Sequence, residues 1–177
     1  MLRCLLHSEE LQDLLSGLGY HVTEEQLART VDYYLARTVD GSTLSGVVTS
    51  WVLARQNPAE AWHCLLAALN SDVADIEGGT TAEGIHLGAM AGTIDIVLRC
   101  ITGMLARGDT LRFDPKLPTE VKRLRFSLHY RGNRLEISLA RHRMSVICRP
   151  GRTAPVTVKV REETRQLGPG ESAEFEL

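Results

Sequence analysis

A chain of 177 residues with 44% hydrophobic and 24% charged side chains and a formal net charge of -2 has the composition of one compact globular domain or two small ones, and excludes disorder, collagen and coiled coil. It contains no run of roughly 18–20 apolar residues to span a membrane and no readable secretion signal, so a cytoplasmic protein without a membrane partner is expected. The small net charge hides an asymmetry. Residues 1–108 hold 6 basic and 13 acidic side chains, residues 109–177 hold 14 and 9, and two sectors of different chemistry are expected at those bounds. The basic sector alternates charge with apolar residues and interleaves few aromatics, the pattern of a wet sheet face and not of a nucleic-acid surface. Four cysteines, Cys4, Cys64, Cys100 and Cys148, lie far apart in apolar surroundings. None is paired at zinc or redox spacing, so thiols in a reducing compartment are expected, with no metal and no cofactor.

The first sector reads as helices. Ser8 precedes an acidic turn and the apolar set Leu11, Leu14, Leu15 and Leu18, with Gly19 placed as a C-terminal cap. Thr23-Glu24-Glu25-Gln26 has capping-box spacing, and Leu27, Val31, Tyr34 and Leu35 share one face of the next helix. Ser42-Thr43-Leu44-Ser45 opens a third helix through Val47, Val48, Trp51, Val52 and Leu53. Asn57-Pro58 starts a fourth, with Trp62, Leu65, Leu66 and Leu69 as its expected buried stripe. Residues 71–84 form a long acidic loop, and loops of that length within a compact domain are usually functional. The following segment is rich in small residues, so only close packing would keep it helical.

From residue 109 the apolar period changes to two. Leu124, Phe126, Leu128 and Tyr130 alternate with polar residues, Arg131-Gly132-Asn133 is a turn, and Leu135, Ile137 and Leu139 resume the alternation. Met144–Cys148, Val156–Val160 and Ala173–Leu177 add strands, giving four to six short antiparallel strands in a sandwich or open barrel. At the other end of the chain, Met1-Leu2 and Cys4-Leu5-Leu6 start apolar and uncapped, and several helices are apolar on more than one side. That pattern is expected of a chain cut from a larger helical assembly, and it makes self-association into a homo-oligomer an expectation.

Two hydroxyl-rich helix starts could carry chemistry. In Gly78-Gly79-Thr80-Thr81-Ala82-Glu83-Gly84-Ile85-His86, glycines permit close approach and a helix beginning near Ile85 would aim free amides at an anion or a sugar hydroxyl cluster. The ending of a phosphate-binding P-loop is missing. Ser42, Thr43 and Ser45 form the second cluster, where capping is the ordinary role. No nucleophile elbow is present. Asp40, Glu77 and Glu83 are the only acids near these clusters, and nothing in their context marks one as a proton donor.

Tyr33–Thr38, Gly41–Ser45, Trp51–Arg55, Asp72–Ile76, above all Gly78–Thr93, and Leu111–Pro118 followed by Leu124-Arg125-Phe126 and Tyr130-Arg131-Gly132 form a long ordered series of motifs. Together they resemble glycoside hydrolase family 65, the trehalose, maltose and kojibiose phosphorylases and related hydrolases. The resemblance covers nearly the whole chain. It implies an α+β fold made of the last helices of an (α/α)6 barrel over residues 1–108, then a small antiparallel β-sandwich domain over 109–177. It also implies inverting cleavage of an α-glucosidic bond in a disaccharide such as trehalose or maltose, with phosphate or water as the attacking partner and a glutamate as general acid. That glutamate lies upstream in the family, so no catalytic residue is expected in this chain, which would be inactive alone. Ser42, Thr43, Gly84 and His86 match segments that border the phosphate site of the phosphorylases. The family generally carries His where this chain has Asp40, and often where it has Thr49. A carboxylate there repels phosphate and favours water as acceptor. The competing expectation is a non-catalytic structural or carbohydrate-binding β module, for which Tyr130 and Phe175 are the few candidate sheet aromatics.

Overall fold

The structure, a computed structural model, describes residues 6, 8–39, 41–54, 56–75, 78–79, 82 and 84–177. Cys4, Asp40, Glu77, Thr80, Thr81 and Glu83 lie outside the described residues, as does most of the apolar start. The chain divides into two compact units, Met1–Ile96 and Val97–Leu177.

Among the described residues the first unit holds five helices: α1 (Ser8–Gly17), α2 (Glu24–Leu35), α3 (Thr43–Leu53), α4 (Pro58–Asn70) and α5 (Leu87–Asp95). Local chemistry sets their ends. Gly19 adopts φ +84°, its N–H donates to Ser16 O and that of Tyr20 to Leu15 O, a Schellman ending that a side chain would strain. Thr23 closes a reciprocal capping box with Gln26. Asn57 accepts from Glu60 N while Pro58 occupies the first turn.

Which faces turn inward differs from the expected stripes. In α4 the buried residues are Ala61, Leu65 and Ala68, while Leu66 and Leu69 are 36% and 43% exposed. In α2 Val31 is buried, but Tyr34 is exposed and Arg37 stacks over Tyr33. In α1 Leu11 is buried, whereas Leu14 and Leu18 stay exposed. Small residues explain the choice of face, because helices approach where side chains are short. A Cβ on Gly46 would lie 3.3 Å from Cys64 O and 3.6 Å from Ala68 Cβ, and the buried Ser50 donates to Ala61 O at 2.8 Å. These contacts make α3 and α4 an antiparallel pair. A Cβ on Gly92 would lie 2.4 Å from Val47 Cγ1, and one on Gly88 3.7 Å from Leu44 Cδ2. The order 44 to 88 and 47 to 92 runs the same way in both helices, so α3 and α5 lie side by side with their N-termini at the same end.

The second unit begins in the π-helical turn Ile96–Ile101. Gly103 follows at φ +63°, where a Cβ would lie 2.4 Å from Asp114 O, so only glycine fits. Eight strands follow: β1 (Leu105–Arg107), β2 (Thr110–Phe113), β3 (Arg123–Tyr130), β4 (Asn133–Ala140), β5 (Arg143–Cys148), β6 (Val156–Val160), β7 (Glu163–Leu167) and β8 (Ser172–Glu176). They form two four-stranded sheets, β1-β2-β6-β7 and β3-β4-β5-β8, antiparallel except for the parallel pair β2–β6. The β3–β4 hairpin pairs Tyr130 with Asn133 across Arg131-Gly132, both at positive φ, as a type I′ turn requires. Arg131 also ion-pairs with Asp109 and donates to Gly108 O, tying this tip to the β1–β2 turn.

The core of this unit lies between the two sheets. Leu111, Phe113, Val156, Val158, Val160 and Leu167 from one meet Leu135, Ile137, Leu139, Met144, Val146, Cys148 and Phe175 from the other. Phe175 is 1% exposed, which removes it from any sugar-binding sheet face. Cys64, Cys100 and Cys148 form no disulfide. Burial pushes the Cys148 thiol up, aided by the nearby Glu171 charge, and its Sγ donates to Asn133 Oδ1.

Candidate functional site

The expected site residues fall on the two neighbouring helix starts. Ser42 is the N-cap of α3; its hydroxyl oxygen accepts from Leu44 N at 3.2 Å and it is exposed. Thr43, the first residue of α3, is turned inward at 8% exposure. At the second start, Gly84 takes φ +109° with open space where its Cβ would be, a position that any other residue would strain. His86 is the N-cap of α5 but does not cap with its side chain. Its ring turns instead to Asp72.

This Asp72–His86 pair gives the site its definition, and sequence spacing did not reveal it as one. Asp72 lies just after α4, fourteen residues before His86. The His86 ring meets Asp72 Oδ1 through Nδ1 at 2.5 Å, and the His86 backbone N–H donates to Asp72 Oδ2 at 3.0 Å. One carboxylate thus holds both the ring and the main chain of one residue and joins the ends of the long loop. The Asp72 side chain is 8% exposed and that of His86 29%. The histidine hydrogen bond holds the Asp72 carboxyl below its ordinary range, outweighing the opposite effect of burial. A second aspartate secures the interior of the loop: Asp75 accepts from Gly79 N with both oxygens, at 2.8 and 2.9 Å.

With its ring engaged, His86 leaves the first-turn amides of α5 without a side-chain cap, next to the Ser42-capped start of α3. Such a place offers N–H donors, the positive end of a helix dipole and an oriented imidazole. It suits an anion, a sugar hydroxyl or a polarised water. Leu44, Ile85 and Leu87 stand exposed around it at 46%, 69% and 77%. Among the described residues no group of three or more His, Cys, Asp or Glu could hold a metal ion. Nor is any helix among them long and apolar enough to cross a membrane.

A helical unit in which α3 and α5 start side by side, followed by a two-layer β unit, matches the end of a helical barrel joined to a C-terminal β domain. The solved structure of "Putative kojibiose phosphorylase from human microbiome" superposes with a TM-score of 0.74 at 18% identity, over 88% of this chain and 22% of that one. That likeness establishes the fold. Residues 5–95 match the model of the glycosyl hydrolase family 65 central catalytic domain, and residues 104–167 that of the family's C-terminal domain. The chain belongs to glycosyl hydrolase family 65. An uncharacterized glycosyl hydrolase of Mycobacterium tuberculosis is 44% identical over 174 residues, 98% of this chain and 13% of that protein. Trehalose 6-phosphate phosphorylase of Lactococcus lactis subsp. lactis is 34% identical over 173 residues, 97% of this chain and 22% of that protein. The chain therefore spans between about an eighth and a quarter of these relatives.

Proposed function

We propose that this chain is the C-terminal part of a cytoplasmic enzyme that cleaves the α-glucosidic bond of a disaccharide such as trehalose or maltose with inversion, by hydrolysis or phosphorolysis. Ser42, Thr43, Gly84 and His86 border the place where the attacking partner enters. The observation that carries this reading is the Asp72-held His86 at the start of α5, beside the parallel start of α3. In an inverting reaction a carboxylic acid protonates the glycosidic oxygen while the acceptor attacks from the opposite face of the sugar. The proton donor is a glutamate outside this chain. The chain's own part is to hold and orient the acceptor with an imidazole, a hydroxyl and the α5 amides. The phosphorylase relatives support phosphate as acceptor; Asp40, where the family generally has His, supports water.

The test is glucose and glucose 1-phosphate release from trehalose, maltose and kojibiose, with and without phosphate. The full-length protein that carries this segment is compared with the 177-residue chain. Product from the first and none from the second is expected. His86→Ala in the full-length protein should reduce the rate by about two orders of magnitude, a typical loss for a group acting on the reacting atoms. Activity in the 177-residue chain, or none in either, overturns the reading.

A further inference from the structure

We infer that Asp72 is a positioning residue for His86: it fixes the imidazole as the Nδ1–H tautomer and leaves Nε2 as the one ring atom available to a ligand. The inference rests on the proposed function for its consequence in activity, but not for its geometry. Two separate bonds from one carboxylate, to the ring at 2.5 Å and to the backbone N–H at 3.0 Å, leave the ring little freedom to turn. A carboxylate only accepts, so the ring nitrogen facing it must carry the proton. Asp72 is 8% exposed, so water competes poorly for its oxygens. It also stays ionised at neutral pH, because the same bond lowers its proton affinity. Carboxylates bonded in this way to a histidine's other ring nitrogen hold its tautomer and orientation in many sites.

Other polar groups are less specific to a ligand. Asp75 accepts from Gly79 N with both oxygens, and so orders the loop. The Glu136–Arg149 pair and Arg125 lie on an exposed sheet face, where nothing in the structure marks a ligand.

The substitution Asp72→Asn separates positioning from simple packing. Asparagine keeps the size of the side chain and a carbonyl oxygen for the His86 amide, but offers an N–H to the ring and so inverts the tautomer. The measurement is imidazole nitrogen NMR of the full-length protein labelled at histidine, with His86 assigned through His86→Gln. Wild type is expected to show Nδ1–H and Asp72→Asn Nε2–H, with melting temperature nearly unchanged. Turnover of the disaccharide should fall by about 10²-fold and recover in part in Asp72→Glu. Nε2–H in the wild type overturns the inference even if no variant folds. Unchanged turnover with an inverted tautomer also overturns it. If the wild type shows Nδ1–H but cleaves no disaccharide, the functional reading fails and the tautomer assignment stands.

Discussion

The two units stabilise themselves in different ways. In the β unit buried apolar residues, alternating most clearly along β4, β5 and β6, meet across two sheets, and Leu135, Leu139, Met144, Val146 and Val158 are fully buried. Among the described residues, the buried apolar positions of the helical unit are fewer and smaller, among them Ala61, Ala68 and Ala89. Also among the described residues, every exposed large apolar side chain apart from Ile147 belongs to that unit. The β unit therefore relies on area removed from water. The helical unit relies on close approach at glycine and alanine, on caps, and on loop clasps such as Asp72. The proposed function draws on the second kind, since an opening between helix starts requires helices that are not sealed over at that end.

The largest difference between the units is expected in the β core. Phe175→Ala should destabilise the β unit by about 3–5 kcal/mol, the range for removing a fully buried aromatic ring. Leu66→Ala, at a position 36% exposed, should change the helical unit by no more than about 0.5 kcal/mol. Chemical denaturation followed by hydrogen exchange in each unit reads both; equal losses would show that the units do not differ as described. The next effect is a pair of glycines on one helix. Gly92→Ala drives a Cβ to 2.4 Å from Val47, a β-branched side chain with little room to turn, and should cost about 1–3 kcal/mol. Gly88→Ala meets Leu44 at ordinary contact distance and should stabilise α5 by about 0.5–1 kcal/mol through helix propensity. Opposite signs four residues apart in thermal melts would confirm that close approach decides this unit.

The same contrast explains what the sequence could reveal. Signals confined to a few consecutive residues were legible: Gly19, the Thr23 capping box, Asn57-Pro58 and the Arg131-Gly132 turn each act through one or two neighbouring backbone groups. The choice of buried face was not, because Leu66 and Leu69 are more apolar than Ala61 and Ala68, yet only the alanines let a neighbouring helix come near. Strand β1 is too short to display alternation, and β7, Glu-Thr-Arg-Gln-Leu, buries only Leu167. The parallel β2–β6 pairing joins residues more than forty positions apart and leaves no local trace. The helix starts at Ser42 and His86 were visible as chemistry. The link from Asp72 to His86 leaves no trace in the sequence, since two residues fourteen positions apart have no period to join them.

A smaller effect sharpens the account of the clasp. Asp72 titrates below its ordinary range when folded, because of the hydrogen bond from His86. Its contribution is therefore complete above the unfolded value, near pH 4, and is lost as pH falls through the lowered folded one. Protection of the His86 amide, its exchange relative to an unstructured peptide at the same pH, should hold down to about pH 4 and weaken below it. In Asp72→Asn it should be weaker throughout and lack that acid step.

The smallest expected effect is none at all. Inorganic phosphate added to the 177-residue chain should leave the His86 ring resonances unmoved. The α5 amides and dipole attract an anion, yet the Asp72 carboxylate lies within 3 Å of the His86 backbone and ring and offsets the positive field there. Residues 1–108, which include this start, carry 13 acidic against 6 basic side chains. A phosphate site on this chain would need cations that neither helix start supplies, since neither Ser42–Ser45 nor Ile85–Ala89 contains Lys or Arg. A saturable phosphate shift at His86 would show that the two helix starts suffice to hold the anion, and would move the acceptor from water towards phosphate.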